Sequence, residues 1–367
     1  MIYLDNAATS FPKPKCVIRE VSRCISEYCG NPGRSSHRLS IAAADKIYET
    51  REKIAEFLCY AKSENVIFTP NATYALNLAI KGLLTKKCHC IISDLEHNSI
   101  LRPLCKAQEK YGVDYSVFDT DKSPDIAIPP LIREDTELII CTLCSNVTGK
   151  ILDFISISNI ARKYNLKLIL DASQYAGHNK LDLSNLYFTA LCSAGHKGLF
   201  GIQGSAFIII NDCILDTITE GGSGIDSFSS HMPIYSPERY EAGTLSTPAI
   251  ASLNAGIEYI SQIGIDNIEN HILKLTDELK NTLDLIPSIE VYGINNGIAS
   301  FNIRDLPSSK VSYLLDEKGI ATRSGFHCSP IIHTKLGTST SGAVRVSLSY
   351  LNSNKDINKL FVALKNI

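Results

Sequence analysis

The chain has 367 residues, of which 44% are hydrophobic and 20% are charged, and its formal net charge at pH 7 is −2. The length suits about two domains, and the composition is that of an ordinary globular protein. The near-neutral charge gives no electrostatic reason to expect binding to nucleic acid or to an anionic membrane, so neither partner is predicted.

Two features of the sequence, its first residues and the length of its aliphatic runs, bear on where the protein is located. Residues 1–6 lack the basic and then apolar layout of a secretory signal peptide. The longest aliphatic runs, such as residues 207–210, are far shorter than the roughly 20 residues that cross a bilayer. We therefore expect a cytoplasmic protein whose 12 cysteines are mostly reduced thiols.

Two cysteine pairs have spacings that metal sites also use. Cys141 and Cys144 form a CxxC, and Cys88 and Cys90 flank a histidine. Each pair lies in or beside an apolar run, and neither has the second pair that a four-ligand zinc site needs. We predict that these are strand cysteines and that the chain has no metal site.

Between about residues 40 and 260, strand-like runs alternate with helical patterns. The strand-like runs are residues 66–69, 89–93, 115–118, 138–143, 166–170, 189–192 and 206–210. The helical patterns place apolar residues near the 3.6 period, as at Ile41, Ala44, Ile47, Ile54 and Leu58. This alternation predicts an α/β fold with a largely parallel sheet, in which ligands bind at the carboxyl ends of the strands.

A second region begins near Gly264. Its apolar residues step by three or four positions, which predicts an amphipathic helix: Ile265, Ile268, Ile272, Leu275, Leu279 and Leu283. Strand-like runs follow at 289–292, 298–303 and 343–348. We predict a large domain over residues 15–263 and a smaller α+β domain over residues 264–367, with residues 1–14 packing near the smaller one.

Asp171 and Lys197 carry the chemistry that the sequence indicates first. Asp171 follows one strand-like run, and Lys197 follows the next within the stretch Gly195-His196-Lys197. Enzymes that use pyridoxal 5′-phosphate (PLP) need this pair. The lysine forms a Schiff base with the cofactor, and the carboxylate keeps the pyridine nitrogen protonated so that the ring withdraws electrons.

Several further motifs occur in order along the chain. They are residues 3–9 (YLDNAAT), Asn31-Pro32 with His37, Glu96-His97, residues 145–149 (SNVTG), residues 171–174 (DASQ), residues 241–244 (EAGT) and residues 323–328 (RSGFHC). With Gly195-His196-Lys197, they make the chain resemble the cysteine desulfurases of the class V aminotransferase group, from residue 3 to about residue 352. The resemblance implies the PLP fold type I, with a mainly parallel seven-stranded sheet in the large domain.

The resemblance also implies roles for individual residues. Lys197 would bind PLP and shuttle protons, Asp171 would pair with the pyridinium nitrogen, and His97 would stack on the ring. The remaining cofactor contacts would come from Ala72, Thr73, Asn146, Gln174, Ser193, His196 and the partner subunit's Thr244, so a homodimer is expected. Asn146 would also face the substrate.

Two positions depart from the family pattern around the phosphate. Where the family usually has a serine three residues before the lysine, this chain has Ala194, and its serine is Ser193. The position two before Thr73 is usually a small residue, but here it is Asn71. Because asparagine tolerates left-handed backbone angles, we expect the turn at Asn71 to be kept.

Cys328 distinguishes a desulfurase from an ordinary aminotransferase, because transamination needs no thiol. The thiolate is the reactive form, and nearby Arg323 and His327 could lower the pKa of the Cys328 thiol. Arg345 matches the arginine that binds the substrate carboxylate with its planar fork, and Arg323 is a second candidate for substrate binding. The short interval from Cys328 to Arg345 resembles the group II desulfurases.

The sequence therefore predicts a PLP-dependent cysteine desulfurase. It would convert L-cysteine to L-alanine, hold the sulfur as a persulfide on Cys328 and pass it to an acceptor protein for iron–sulfur cluster, cofactor or tRNA synthesis. A selenocysteine lyase acting on L-selenocysteine is the nearest alternative. A class V aminotransferase that leaves Cys328 idle and a non-catalytic scaffold are the others.

Overall fold

The computed structural model describes residues 1–33 and 35–367. Its strands are β1 (Ile2–Tyr3), β2 (Val66–Thr69), β3 (His89–Ser93), β4 (Asp114–Phe118), β5 (Thr136–Thr142), β6 (Lys167–Asp171), β7 (Ala190–Ala194), β8 (Ala206–Ile210), β9 (Ile289–Asn295), β10 (Ile298–Ile303), β11 (Ile320–Ala321), β12 (Arg323–Gly325) and β13 (Ala343–Ser347). Its α-helices are α1 (Lys15–Arg23), α2 (Arg38–Phe57), α3 (Ala72–Leu83), α4 (Asn98–Tyr111), α5 (Pro124–Ala127), α6 (Phe154–Lys163), α7 (Thr247–Ile263), α8 (Ile265–Asp284), α9 (Ser308–Glu317), α10 (Pro330–Lys335) and α11 (Asn354–Leu364).

A seven-stranded sheet forms the centre of the large part of the molecule. Its strand order is β2-β8-β7-β6-β5-β3-β4. All neighbours are parallel except that β8 runs antiparallel to β2 and β7. Every residue of β2, β3, β7 and β8 is buried, because helices cover both faces of such a sheet. The predicted mainly parallel seven-stranded sheet is confirmed.

The predicted element bounds agree closely with the structure. The runs at residues 66–69, 89–93 and 206–210 coincide with β2, β3 and β8, and the other predicted strands of this sheet differ by one or two residues at an end. The predicted amphipathic helix is α8, whose buried residues include Ile268, Ile272 and Leu275. Long, strongly periodic segments are the ones that sequence patterns identify best.

A four-stranded antiparallel sheet of order β12-β13-β10-β9 forms in the C-terminal part of the chain. Beside it, the N-terminal segment forms a separate two-stranded sheet, because β1 pairs in parallel with β11. The amide of Leu4 donates to the Ala321 carbonyl at 2.9 Å, and the amide of Ser347 donates to the Leu4 carbonyl at 2.7 Å. Residues near position 1 thus pack beside residues near position 347. The division into two domains at residue 264 stays a prediction.

The sheet positions the residues that matter for function at one edge. Thr142 at the end of β5 pairs with Asp171 at the end of β6, and Asp171 pairs with Cys192 in β7. The parallel strands β5, β6 and β7 therefore deliver their carboxyl ends to one place, as expected for an α/β ligand site. Among the residues described, no helix combines the length and the apolar character needed to cross a membrane.

Candidate active site

A cavity of about 120 Å³ opens at the carboxyl ends of β5, β6 and β7. Eight residues that the sequence analysis assigned to the site line it: Ala72, Thr73, His97, Asn146, Asp171, Gln174, His196 and Lys197. They come from a strand end, loops and helix starts spread over more than 120 positions of the chain. The fold therefore brings most of the predicted set to one cavity.

Lys197 is partly buried and lines this cavity, three residues after β7. Burial lowers the pKa of Lys197 to about 8; the charge of Asp171 opposes this shift, while Arg345 and Arg323 add to it. Asp171, the last residue of β6, accepts a hydrogen bond from the amide of Ser173 at 2.9 Å. An amine with a pKa near the working pH can both attack a carbonyl carbon and exchange protons.

His97 links the first turn of α4 to the cavity. Its Nδ1 accepts from the amide of Ser99 at 3.1 Å and lies 2.8 Å from the Ser99 hydroxyl. The Ser99 hydroxyl in turn lies 2.8 Å from the Thr73 hydroxyl. Burial and the nearby charge of Lys197 lower the pKa of His97 to about 4, so its ring is neutral at pH 7. Since Nδ1 accepts, the proton of the neutral ring is on Nε2.

The N-terminus of α3 forms a second wall. Asn71 is its cap: the Asn71 side chain accepts from the amide of Tyr74 at 2.9 Å. The Asn71 φ of −165° is extended, so the left-handed geometry expected there is wrong. Asparagine stands at this position because it is a good N-cap. Ala72 and Thr73 follow it and line the cavity, and the first amides of a helix have no intrahelical partners. This end of the helix suits an anion such as phosphate.

Ser193 is not brought to the cavity. It is fully buried in β7, and its hydroxyl has no hydrogen-bond partner. Its neighbour Ala194 lines the cavity instead. Because side chains alternate across a strand, a cavity-facing Ala194 requires Ser193 to face the other way. The structure thus gives Ser193 no contact with the site.

His196 and the N-terminal segment close the cavity from another side. The His196 carbonyl accepts from the Thr9 hydroxyl at 3.0 Å and from Lys13 Nζ at 2.9 Å. The Gln174 side chain donates to the Ala7 carbonyl at 2.9 Å. Burial lowers the pKa of His196 to about 4, with Lys197 and Lys13 adding to the shift. Residues 7–13 therefore hold Gln174 and His196 in place.

Two buried polar atoms of cavity-lining residues lack hydrogen-bond partners. They are the Ser173 hydroxyl and His196 Nδ1. Unpartnered polar atoms are uncommon in protein interiors and call for an explanation, such as a ligand. A bound molecule with polar oxygens would satisfy both atoms. Together with Lys197, Asp171 and the start of α3, they fit PLP, which carries an aldehyde, a ring nitrogen and a phosphate.

Glu96 lies beneath the site as a buried carboxyl group. It accepts hydrogen bonds from the Ser93 hydroxyl and, at 3.1 Å, from the amide of Thr142, while its Oε2 has no partner. Burial raises the pKa of Glu96 to about 8, and the negative charge of Asp171 contributes to the shift. Glu96 is therefore mostly protonated at pH 7 and adds little negative charge beside Asp171.

Cys328 lies on residues 326–342, a segment between β12 and β13 that we call the cysteine strap. Its carbonyl accepts from the amide of Asn98 at 2.7 Å, next to His97. Asn146 fastens the strap on both sides of Cys328: its Nδ2 donates to the His327 carbonyl at 2.7 Å, and its Oδ1 accepts from the Ser329 hydroxyl at 2.8 Å. Since Asn146 also lines the Lys197 cavity, the exposed Cys328 is held next to that cavity.

The predicted influence of His327 on the Cys328 thiol is wrong. Burial lowers the pKa of His327 to about 2, with Arg345, His333 and Arg323 adding to the shift. The ring is therefore neutral and supplies no positive charge to the thiol. Its Nδ1 lies 3.3 Å from Nε2 of the buried His333, and the two rings stack. His327 therefore contributes to the packing of the strap and adds no positive charge to it.

Arg345 and Arg323 lie opposite each other on the paired strands β13 and β12. Only 1% of the Arg345 side chain is exposed. Its Nη1 donates to the Asn146 carbonyl at 2.9 Å, its Nη2 contacts Asp5 Oδ1 at 2.8 Å, and its Nε has no partner. The N-terminal segment therefore supplies a counter-charge that sequence reasoning did not foresee. Both arginines raise the local positive charge near Lys197.

Thr244 does not line the Lys197 cavity within the chain. It borders a separate cavity of about 400 Å³ together with Arg51 and Glu241. Glu241, from the same motif, forms a buried ion pair with Arg51 at 2.5 Å and accepts from the amide of Phe68 at 2.7 Å. Glu241 thus joins α2 to β2, which is a structural role. The approach of Thr244 from a partner subunit stays a prediction.

Sequence reasoning gave no site role to five other residues that line the cavity: Leu76, Ser99, Thr142, Cys144 and Ser173. Ser173 lies inside the quoted stretch 171–174, so its place in a known motif was the available signal. Cys144 was assigned to a strand, but its sulfur receives a hydrogen bond from Asn296 at 3.5 Å. Burial raises the pKa of Cys144 to about 12, so this thiol is protonated and unlike a reactive one.

Comparison with known proteins adds independent observations. The family model described as aminotransferase class-V matches residues 2–360. The chain is 33% identical over 380 residues to a probable cysteine desulfurase of Methanothermobacter thermautotrophicus, covering 100% of this chain and 94% of that protein. It is 31% identical over 383 residues to a probable cysteine desulfurase of Synechocystis, covering 100% and 90%.

Solved structures agree with these relatives. The apo structure of a cysteine desulfurase from Thermococcus onnurineus NA1 superposes with a TM-score of 0.90 at 28% sequence identity. The match covers 100% of this chain and 94% of that one. The likeness therefore extends over both sheets and the strap between β12 and β13.

Proposed function

The chain belongs to the class-V aminotransferase family, and on that premise we propose that it is a PLP-dependent cysteine desulfurase. Its substrate is L-cysteine, its products are L-alanine and a persulfide on Cys328, and the sulfur then passes to an acceptor protein. The observation that carries the proposal is Asn146, which lines the Lys197 cavity, fastens the strap of Cys328 and contacts Arg345. It joins an amine, a thiol and a guanidinium in one site.

The cavity has the groups that PLP needs. Lys197 would bind its aldehyde carbon, Asp171 its ring nitrogen, and the start of α3 with His196 its phosphate. When bound, PLP withdraws electrons from the substrate Cα, which acidifies the Cα proton and weakens the bond between Cβ and sulfur. His97, neutral and fixed through Nδ1, would lie against the ring. A homodimer in which the partner subunit's Thr244 completes the phosphate contacts is part of the proposal.

The protein's own groups account for the remaining steps. Arg345, with Arg323 beside it, would orient the substrate carboxylate through its guanidinium fork. With a pKa of about 8, Lys197 Nζ can take the Cα proton and return a proton near neutral pH. The Cys328 thiolate attacks the substrate sulfur. The Cβ–S bond breaks, an S–S bond forms on Cys328, and Cβ gains a proton, so no external oxidant is needed.

Purified protein mixed with L-cysteine and a thiol reductant tests the proposal. We expect L-alanine and sulfide in equal amounts, because the reductant releases sulfur from the persulfide. Cys328→Ala should keep the colour of bound PLP and release no sulfide, whereas Lys197→Ala should lose the covalently bound cofactor. Sulfide release by Cys328→Ala at the wild-type rate would show that another group accepts the sulfur.

A further inference from the structure

The cysteine strap begins and ends on the paired strands β12 and β13, so its fixed position over the site depends on contacts to other parts of the chain. Close to Cys328 these contacts are the backbone and side-chain hydrogen bonds to Asn98 and Asn146. Beyond Cys328 the strap forms the short helix α10, whose last residue is Lys335. Ile332 of α10 is buried in the apolar core of the large sheet, and Ser341 and Gly342 accept hydrogen bonds from Ser308 and Asn302 at the end of the strap. Lys335 adds an ionic attachment to these contacts.

Lys335 Nζ contacts three carboxylates at the carboxyl ends of β3 and β4. The distances are 2.6 Å to Asp94 Oδ2, 2.7 Å to Asp119 Oδ1 and 2.8 Å to Asp121 Oδ2. Asp94 is buried and also accepts from the Thr120 hydroxyl at 2.7 Å. Burial opposes the charged form of Lys335, but the three carboxylates together raise its pKa above the usual value. The ammonium group is therefore charged at every pH at which the protein works.

One of the three carboxylates, Asp121, also contacts a second lysine, which does not belong to the strap. Lys150 Nζ contacts Asp121 Oδ1 at 2.8 Å and donates to the Thr120 carbonyl at 2.6 Å. Three negative charges on two adjacent loops repel one another without such cations. Lys335 thus does two things: it offsets that repulsion, and it ties the far end of α10 to the large sheet.

Cys328 itself makes few contacts that would fix its sulfur. It is exposed and has a left-handed φ of 59°, and its carbonyl is the group held by Asn98. The position of the sulfur is therefore determined by the attachments on either side of it. The side chain of Lys335 is 28% exposed, so its ion pairs remain within reach of dissolved salt.

We propose that Lys335 is a positioning residue for Cys328: its contacts with Asp94, Asp119 and Asp121 hold the cysteine strap against the large sheet and so set the place of the thiol over the Lys197 cavity. The proposal rests on the proposed function in taking Cys328 as the sulfur-accepting thiol. Lys335 does not line the Lys197 cavity and acts only through α10.

The rate at which iodoacetamide alkylates Cys328 in the cofactor-loaded protein, followed by peptide mass spectrometry, reports how firmly the strap is held. This measurement does not depend on turnover. The exposed Cys59 in the same sample is the internal reference. The variants are Lys335→Met, which removes the charge, Lys335→Arg, which keeps it, and Lys150→Met, which removes the other cation that contacts Asp121 and lies outside the strap. Asp119→Asn removes one of the three carboxylates that contact Lys335. It serves as the test variant if the Lys335→Met protein does not fold.

We expect Lys335→Met to speed Cys328 alkylation by about three- to tenfold relative to Cys59, because a partly exposed ion-pair network is worth a modest factor. Asp119→Asn should give a smaller increase. Wild-type alkylation should accelerate with added salt and that of Lys335→Met should not, since screening acts on charges. In turnover, Lys335→Met should lower kcat/KM for L-cysteine with PLP binding unchanged, and Lys335→Arg should restore both readouts.

Equal Cys328 alkylation rates and equal salt dependence in wild type and Lys335→Met would overturn the positioning role, as would a Lys150→Met effect as large as that of Lys335→Met. These readouts are separate from the proposed function. A wild-type protein that releases no sulfide would discard the desulfurase reaction and still leave the strap measurement valid.

Discussion

Arg345 Nη1 donates a hydrogen bond of 2.9 Å to the backbone carbonyl of Asn146. The two residues are 199 positions apart in the sequence. The side chain of the same Asn146 forms hydrogen bonds to the strap on both sides of Cys328. Asn146 therefore connects the guanidinium of Arg345 in β13 to the strap. Under the proposed function, the orientation of the substrate carboxylate and that of the sulfur acceptor would therefore depend on the same short loop.

Asn146→Ala should reduce kcat/KM for L-cysteine by about ten- to a hundredfold. The change removes two side-chain hydrogen bonds to the strap, each worth roughly 0.5–1.5 kcal/mol, and leaves the backbone contact with Arg345 in place. Steady-state kinetics with L-cysteine measures the loss. Asn146→Asp is the matched control, since it keeps the acceptor for Ser329 and loses the donor to His327. An Asn146→Ala enzyme with wild-type kcat/KM would show that these bonds do not position Cys328.

Lys197→Met should stabilise the cofactor-free protein near pH 7. The pKa of Lys197 falls from 10.5 unfolded to about 8 folded, so below pH 8 the folded state carries an unfavourable buried charge worth about 3 kcal/mol. This penalty disappears as the pH rises from 8 to 10.5, where the unfolded chain binds more protons than the folded one. Urea unfolding of both proteins at pH 7 and pH 10 measures it. The advantage of Lys197→Met should shrink at the higher pH, and a constant difference would contradict the pKa shift.

Acid should destabilise the protein through buried neutral histidines. The pKa values of His97, His178 and His196 are lowered to about 4, in each case mainly by burial. Between pH 6.5 and 4 the unfolded chain therefore binds protons that the folded one does not, and the free energy of unfolding falls as the pH drops. Urea titrations at pH 7, 6 and 5 measure the slope. His178→Gln should make it shallower, and an unchanged slope would assign the effect to other groups.

Arg51→Met should destabilise the fold by about 3–5 kcal/mol, the usual cost of leaving a buried carboxylate without its partner. The ion pair with Glu241 is 2.5 Å long, and both side chains are 7% exposed. The double change Arg51→Met with Glu241→Gln should recover part of the loss, because it removes the orphaned charge. Chemical denaturation measures all three proteins. A single variant as stable as wild type would show that the pair contributes nothing to folding.

Much of the fold and of the chemistry could be predicted from the sequence, because the runs of buried residues are long and the motifs are specific. The sequence did not predict in which direction individual side chains point. A continuous apolar run such as residues 189–192 does not reveal which face of β7 meets the cavity, so Ser193 was assigned where Ala194 lies. The sequence interpretation of Asn71 relied on its tolerance of left-handed backbone angles, whereas in the structure its side chain caps helix α3.

Long-range contacts could not be predicted from the sequence either. Ser99 bridges His97 and Thr73, and Asp5 neutralises Arg345 from 340 positions away. No local pattern encodes such pairs, because they arise only when the sheet and its flanking segments assemble. The neutral state of His327 has the same origin, since its burial comes from packing against His333 and the neighbouring strands.

The pairing of β1 with β11 and of Leu4 with Ser347 has a consequence for synthesis of the protein. The seven-stranded sheet is complete once residue 210 has emerged from the ribosome. Asp5, however, must wait for Arg345, which is synthesised well after residue 210. The central sheet can therefore fold before the thiol of Cys328 and the guanidinium of Arg345 have been synthesised.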